Sequence, residues 1–219
     1  MKREIRLTAD GSPTLYVPEL DETYHSMHGS VQEAKHVFIE HGLKHVFTQI
    51  EKVHVLEIGF GTGLNALLSA LFAQENQLLL SYVGLEAFPV EEQIWTALSY
   101  SSSKEEQTYY KELMRSKWGD PQEFNTFFTL TKTAVKIQDW QSDEKFDLIY
   151  FDAFGPNAQA DMWQLSIFEK LYAVLNQGGV LVTYCAQGQF KRDLKSVGFS
   201  IEALPGPPGK REMTRATKI

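Results

Sequence analysis

From residue 53 onward, short unbroken apolar runs alternate with segments whose apolar residues recur every three to four positions. That is the pattern of buried parallel strands separated by amphipathic helices. Val53–Ile58, Leu78–Leu85, Phe146–Phe151, Val180–Cys185 and Phe199–Ala203 read as strands, with Met213–Thr217 as a last one. Phe127–Ile137 holds one extended strand or a hairpin. Leu64–Gln74, Pro89–Tyr100 (opened by its proline), Lys104–Trp118, Met162–Leu175 (stopped by Gly178-Gly179) and Phe190–Val197 read as helices. Before residue 53 the pattern differs. Glu4–Leu7 and Thr14–Val17 flank the turn-rich cluster Asp10-Gly11-Ser12-Pro13, which predicts a short hairpin. Ser30-Val31-Gln32-Glu33 has capping-box spacing and predicts a helix from about Ser30 to Glu40, ended by Gly42. The expectation is one α/β domain over 1–219. A hairpin-and-helix extension, 1–50, precedes a Rossmann-like core, 51–219, with a mostly parallel sheet and helices on both faces.

Composition changes this picture little. With 219 residues, 43% hydrophobic and 22% charged, the chain is of ordinary globular make-up. No apolar stretch approaches the ~18 residues of a membrane span, and the charged start Met1–Arg6 has no apolar core behind it. With a single cysteine, Cys185, neither an intrachain disulfide nor a cysteine-rich zinc site is available. A cytoplasmic protein is expected, with no membrane partner. His25 and His28, and His41 and His45, have spacings a metal could use, but Gly42 interrupts the second pair and no carboxylate or cysteine completes a site. No metal is expected.

Charge adds one feature. The net charge of −7 argues against a protein that coats nucleic acid indiscriminately. From 189 to 219, however, Lys191, Arg192, Lys195, Lys210, Arg211, Arg215 and Lys218 stand against only Asp193, Glu202 and Glu212. A basic face on an acidic body suits local phosphate contacts.

The chemistry concentrates where strands end. Val55-Leu56-Glu57-Ile58-Gly59-Phe60-Gly61-Thr62-Gly63-Leu64-Asn65 runs from strand through glycine turn to helix, where free N–H groups meet a closely approaching ligand. The third glycine comes one residue too early for a dinucleotide fingerprint. Glu-x-Gly-x-Gly-x-Gly resembles instead the first motif of class I methyltransferases, whose glycines approach the methionine and ribose of S-adenosylmethionine. Phe60 and Asn65 are counted with that donor pocket. Glu86, ending the next strand, is placed to accept hydrogen bonds from both ribose hydroxyls. Asp139, followed by Trp140, stands where such folds put a polar residue near the adenine. Asp152 follows the Phe146–Phe151 strand and points into the predicted site, where a carboxylate binds an ammonium and helps remove its proton. Phe154, beside it, suits a substrate base or the cationic donor.

Asp152-Ala-Phe-Gly-Pro-Asn-Ala-Gln-Ala-Asp161-Met162-Trp163 resembles the signature loop of the MnmD family of tRNA wobble-uridine methyltransferases, a domain that also forms the N-terminal half of bifunctional MnmC. Asp10-Gly-Ser-Pro-Thr-Leu-Tyr16, Tyr24-His25-Ser26 with Glu33-x-x-His36-Val37-Phe38, and Lys210-Arg211-Glu212-Met213 match in order. The resemblance implies methylation of the 5-aminomethyl group of the wobble (2-thio)uridine in tRNA. It implies Tyr24, Glu57, Gly59, Phe60, Gly61, Gly63, Asn65, Glu86 and Asp139 around the donor, Asp152 and Phe154 at the reacting amine, and Pro156, Lys210 and Arg211 toward the tRNA. Bifunctional relatives continue into a flavin-dependent oxidoreductase domain, and this sequence has no second nucleotide-binding glycine motif. Methylation alone is expected, with no flavin and with a separate enzyme supplying the aminomethyl-uridine. The open alternatives are a methyltransferase or aminopropyltransferase for a small amine, and a non-catalytic binding module.

Overall fold

A computed structural model describes residues 1–219. Strands β1 (Glu4–Leu7) and β2 (Pro13–Val17) form the hairpin, and the two-residue β3 (Glu22–Thr23) pairs with β2's other edge. A continuous helical run, α1, is α-helical over Ser30–Ala34, π-wound over Lys35–Leu43 and α-helical again over Lys44–Phe47. It starts at Ser30 as expected, but its capping differs and it runs on past Glu40. Its N-cap is Gly29, and Ser30 Oγ turns away to the Pro13 carbonyl. The helix is capped from outside, because Asp10 Oδ2 accepts from the Gln32 N–H while Ser12 Oγ accepts from those of Ser30 and Val31. Gly42 does not end it. A Cβ there would stand 3.0 Å from Val182 Cγ2 and 3.2 Å from Tyr150 Cε1, so this glycine lets the helix ride close on the sheet.

The remaining elements are β4 (Lys52–Ile58), α2 (Leu64–Asn76), β5 (Leu79–Leu85), α3 (Glu92–Trp95), α4 (Lys104–Arg115), β6 (Gln122–Asn125), β7 (Phe128–Thr133), β8 (Phe146–Phe151), α5 (Leu165–Val174), β9 (Leu175–Thr183), α6 (Gly188–Val197), β10 (Phe199–Pro205) and β11 (Glu212–Lys218). They make an eight-stranded sheet in the order β10-β11-β9-β8-β4-β5-β7-β6. The five strands from β9 to β7 are parallel, and β6 and β11 run antiparallel to their neighbours. Along β4, Val53 and Val55 enter one core with Leu64 and Leu67 of α2, while Leu56 and Ile58 enter the other with Phe168 and Leu171 of α5. Burial of both faces is why these strands read as unbroken apolar runs.

Three further expectations are corrected. Only one turn of Pro89–Tyr100 is helical, since Glu91 is extended and the chain before it is tied to Arg3. Gly178-Gly179 does not stop a helix. α5 has already ended at Val174, and the pair lies in a bulge where the β8–β9 register jumps from Phe146–Leu175 to Leu148–Val180. Trp118 lies beyond α4, 5.9 Å ring to ring from Phe60.

Candidate active site

The carboxyl ends of β4, β5 and β8 open into a cavity of about 240 Å³. It sits between β4, whose connection runs one way across the sheet to β5, and β8, whose connection runs the other way to β9, the crevice that open α/β sheets provide for ligands. Gly59 has φ +91°, and a Cβ there would meet the Asp152 carbonyl oxygen at 2.5 Å. Only glycine lets the turn after β4 touch the start of the loop after β8. Gly59, Phe60 and Gly61 line the cavity. Gly63 does not, and instead packs the loop on α4, where its Cβ would meet Met114 Sδ at 2.5 Å. Tyr110 donates to the Thr62 carbonyl (2.9 Å) and fixes the same loop from α4.

Glu86 lines the cavity and grips both loops. Its Oε2 accepts the Gly61 N–H and its Oε1 the Phe88 N–H, each at 2.8 Å. Glu57, expected at the donor, lies behind the cavity wall, 1% exposed. Its Oε1 accepts from Asn65 Nδ2 (2.8 Å), and the same nitrogen donates to Asp152 Oδ2 (2.9 Å). Asn65 thus ties the two carboxylates, and its own Oδ1 is buried without a partner in the cavity wall. Burial holds the Glu57 carboxyl well above the usual carboxylate range, and Asp152 adds to this. Burial, and then the nearby Glu33 charge, push Asp152 up to about 7, against the Asn65 hydrogen bond and Lys210.

The other wall comes from the N-terminal extension. The Tyr24 ring meets Phe154 edge-on at 5.1 Å and lies against Gly61, whose Cβ would fall 3.2 Å from it. Arg3, its side chain 2% exposed, donates to the Tyr24 hydroxyl (2.9 Å), Glu91 Oε2 (2.7 Å) and the Phe88 carbonyl (2.6 Å). His25 lines the cavity beside Thr62. Pro156, Lys210 and Arg211 lie in a second, shallower groove that shares Glu22, Gly155 and Tyr184 with the first. Lys210 pairs with Glu33 (2.6 Å) and sits 3.8 Å over the Tyr184 ring. Asp139 is exposed and stands outside the cavity wall, where Ile137 and Gln138 take the place expected of it. Trp140 is buried against Phe146 in the core.

Arg3, His25, Glu33 and Tyr184 were not singled out from the sequence as site residues. Tyr184 carried a usable signal, standing at the carboxyl end of a predicted strand. Glu33 carried a misleading one. Its capping-box spacing is real, but its Oε2 accepts from Ser26 N–H and its Oε1 from Lys210. Arg3 carried none.

A family model described as S-adenosyl-L-methionine-dependent methyltransferase matches residues 100–219. The bifunctional protein MnmC of Cupriavidus metallidurans, named for tRNA 5-methylaminomethyl-2-thiouridine biosynthesis, is 29% identical over 223 residues, 96% of this chain and 33% of its own. The protein of the same name from Leptospira interrogans is 29% identical over 230 residues, 94% of this chain and 34% of its own. The chain thus spans about a third of the length of these relatives. Among solved structures, MnmC2 from Aquifex aeolicus superposes with a TM-score of 0.81 at 23% identity, over 98% of this chain and 70% of that one. DesVI from Streptomyces venezuelae superposes at 0.53 and 12% identity, over 86% of this chain and 92% of that one. Both likenesses are of fold.

Proposed function

The chain belongs to the S-adenosyl-L-methionine-dependent methyltransferase family matched over residues 100–219, and from that premise we propose that its acceptor is the 5-aminomethyl group of the wobble uridine in tRNA, 2-thiolated or not, with 5-methylaminomethyl-(2-thio)uridine as product. The sheet order is that of the class I, Rossmann-like methyltransferase fold. In this reading 1–219 is one domain whose extension, 1–50, closes the core. The names of the relatives that match nearly the whole chain support the acceptor.

The cavity residues fit the donor. Each Glu86 oxygen holds one backbone N–H and keeps a lone pair for a ribose hydroxyl. Gly59 and Gly61 bring backbone close to the ligand. The unpartnered Asn65 Oδ1 accepts a hydrogen. Glu57 acts from behind by holding Asn65, and the adenine end is taken by Ile137 and Gln138 rather than Asp139. Bound there, S-adenosylmethionine supplies an electrophilic methyl group. Asp152, its Oδ2 tied to Asn65, offers Oδ1 to the incoming ammonium and takes the proton that must leave before nitrogen can attack. Phe154, braced by Tyr24 and by Trp163 donating to its carbonyl (2.8 Å), presses the base into line. Pro156, Lys210 and Arg211 receive the flanking sugar-phosphate in the adjoining groove. The aminomethyl group comes from a separate enzyme, and the reaction belongs to the cytoplasm. No helix is long and apolar enough to cross a membrane.

One observation carries this reading: a carboxyl pushed up to about 7, Asp152, lines the donor cavity, and the adjoining groove presents Lys210 and Arg211. The test is methyl transfer from radiolabelled S-adenosylmethionine to bulk tRNA of cells lacking the gene, followed by nucleoside analysis. Label in 5-methylaminomethyl-type uridine is the expected result. Donor binding with no label in tRNA defeats the acceptor and turns attention to small amines.

A further inference from the structure

S-adenosylmethionine ends in a carboxylate, and the cavity has almost nothing positive to offer it. The one lysine in the wall, Lys136, stands beyond β7, and the amino-terminal residue Met1 is the other place where a positive group lines it. Near the glycine loop, both Asn65 amide hydrogens are already given to Glu57 and Asp152. Two side chains are left there with a hydrogen to give, Thr62 and His25.

The hydrogen bonds around His25 fix its tautomer. Thr14 Oγ1 accepts the His25 backbone N–H (3.0 Å) and lies 3.1 Å from Nδ1. Thr14 is fully buried, and Nδ1 is the one acceptor its hydroxyl hydrogen finds. A buried hydroxyl keeps its hydrogen bonded, and at 3.1 Å against 3.5 Å it is Thr14, not Thr62, that stands close enough to give one, so the hydrogen goes to Nδ1 and the ring proton stands on Nε2. The only neighbour of Nε2 is Thr62 Oγ1 at 3.5 Å, the outer limit of a hydrogen bond. His25 and Thr62 both line the cavity, and Thr62 directly precedes Gly63, the N-cap of α2. Nε2 thus lies between two cavity-lining residues, weakly held, beside the positive end of a 13-residue helix. Across the same wall is the buried, unpartnered Asn65 Oδ1.

We propose that His25 receives the carboxylate of the donor's methionine tail, donating from Nε2 as a neutral imidazole, while the Asn65 Oδ1 takes the tail's ammonium. Burial pushes His25 down to about 4 against the charges of Glu33 and Asp10, so the ring is a neutral donor at physiological pH. The assignment rests on the donor occupying this cavity and is independent of the acceptor.

Titration calorimetry with S-adenosylmethionine and with decarboxylated S-adenosylmethionine, in the absence of tRNA, tests it. A hydrogen bond to a charged group predicts that His25→Ala weakens S-adenosylmethionine at least about tenfold. Affinity for the decarboxylated ligand stays within about twofold, and His25→Gln, which keeps a donor, recovers part of the loss. The ratio of the two affinities within each variant cancels any general loosening of the fold. Equal weakening of both ligands makes His25 a packing residue and overturns the proposal, as does no change in either. Binding of neither ligand to the unaltered chain removes the donor cavity itself, whereas an absence of tRNA methylation with the ratio as expected leaves His25 in place.

Discussion

On one side of the cavity the lining residues hang from strand ends and from the helix that follows: Gly59, Gly61 and Asn65 follow β4, Glu86 follows β5 and Asp152 follows β8. On the other side, Arg3, Tyr24, His25 and Glu33 belong to the N-terminal extension, and Lys210 to the loop between β10 and β11. The first side is placed by parallel register and two buried cores. The second is anchored through Leu15 and α1 in the first core, and its segments nearest the cavity are draped and fastened by side chains, Arg3 to Tyr24, Glu91 and Phe88, and Lys210 to Glu33. A reacting carboxylate needs fixed geometry, while a wall that admits a ligand of this size must open. The difference teaches that damage on the strand side falls on chemistry or folding, and damage on the draped side on ligand exchange.

The largest effect is expected on the strand side. Asp152→Asn keeps the Asn65 contact but cannot take a proton, so kcat falls by ~10²–10⁴ while donor affinity holds. In the unaltered enzyme kcat rises with pH through about 7, as Asp152 ionises, and that rise is absent in the variant. Stability moves the other way. A carboxyl raised from 3.8 to about 7 binds its proton more tightly when folded, so its contribution is fully present below pH 3.8 and is lost as pH climbs through 7. Asp152→Asn therefore melts higher than the parent at pH 8, and by a smaller margin at pH 5. Equal kcat in parent and variant removes Asp152 from the chemistry and with it the division between the two sides.

Gly59→Ala comes next. Its methyl group meets the Asp152 carbonyl at 2.5 Å in a left-handed conformation, so denaturant unfolding is expected to show a loss of about 1–3 kcal/mol. Both stability and kcat suffer, since the same contact spaces β4 from the Asp152 loop. A variant as stable as the parent shows that this junction has slack, and the strand side is then no stiffer than the draped one.

What the sequence disclosed follows the same division. Glycine spacing, the acidic strand ends and the apolar runs are short-range patterns, and they point to Gly59, Gly61, Glu86 and Asp152, all of which line the cavity. Asp139 shows the limit, because a two-residue shift in how the chain leaves β7 puts Ile137 in the wall and turns Asp139 to solvent. The draped side depends on contacts between distant segments. Arg3 reaches Glu91 across 88 residues and Lys210 reaches Glu33 across 177. Nothing local announces either pair. Helix α1 makes the same point: Ser30 has the right neighbours for a capping box, yet Asp10 and Ser12 arrive from the hairpin and do the capping.

The smallest effect, and the sharpest for the comparison, is expected from Arg3→Ala. Arg3 has a buried side chain, but one partner, Glu91, is half-exposed, and an ion pair of that kind contributes little to folding. Unfolding free energy is expected to change by less than about 1 kcal/mol. Tyr24, however, loses the contact that holds its hydroxyl, and its ring lies against both Gly61 and Phe154. The strap from β1 to the loop after β5 is then open. Stopped-flow measurement with S-adenosylmethionine should show dissociation about three- to tenfold faster, the size of one or two lost hydrogen bonds, and hydrogen exchange should quicken around 22–26 and 86–91 and not along β4 or β8. If stability collapses while dissociation is unchanged, the extension is part of the folding core and the draped side is draped in appearance only. If dissociation quickens and the cores stay protected, the wall around Tyr24 opens and closes over a strand side, and an α1, that do not move.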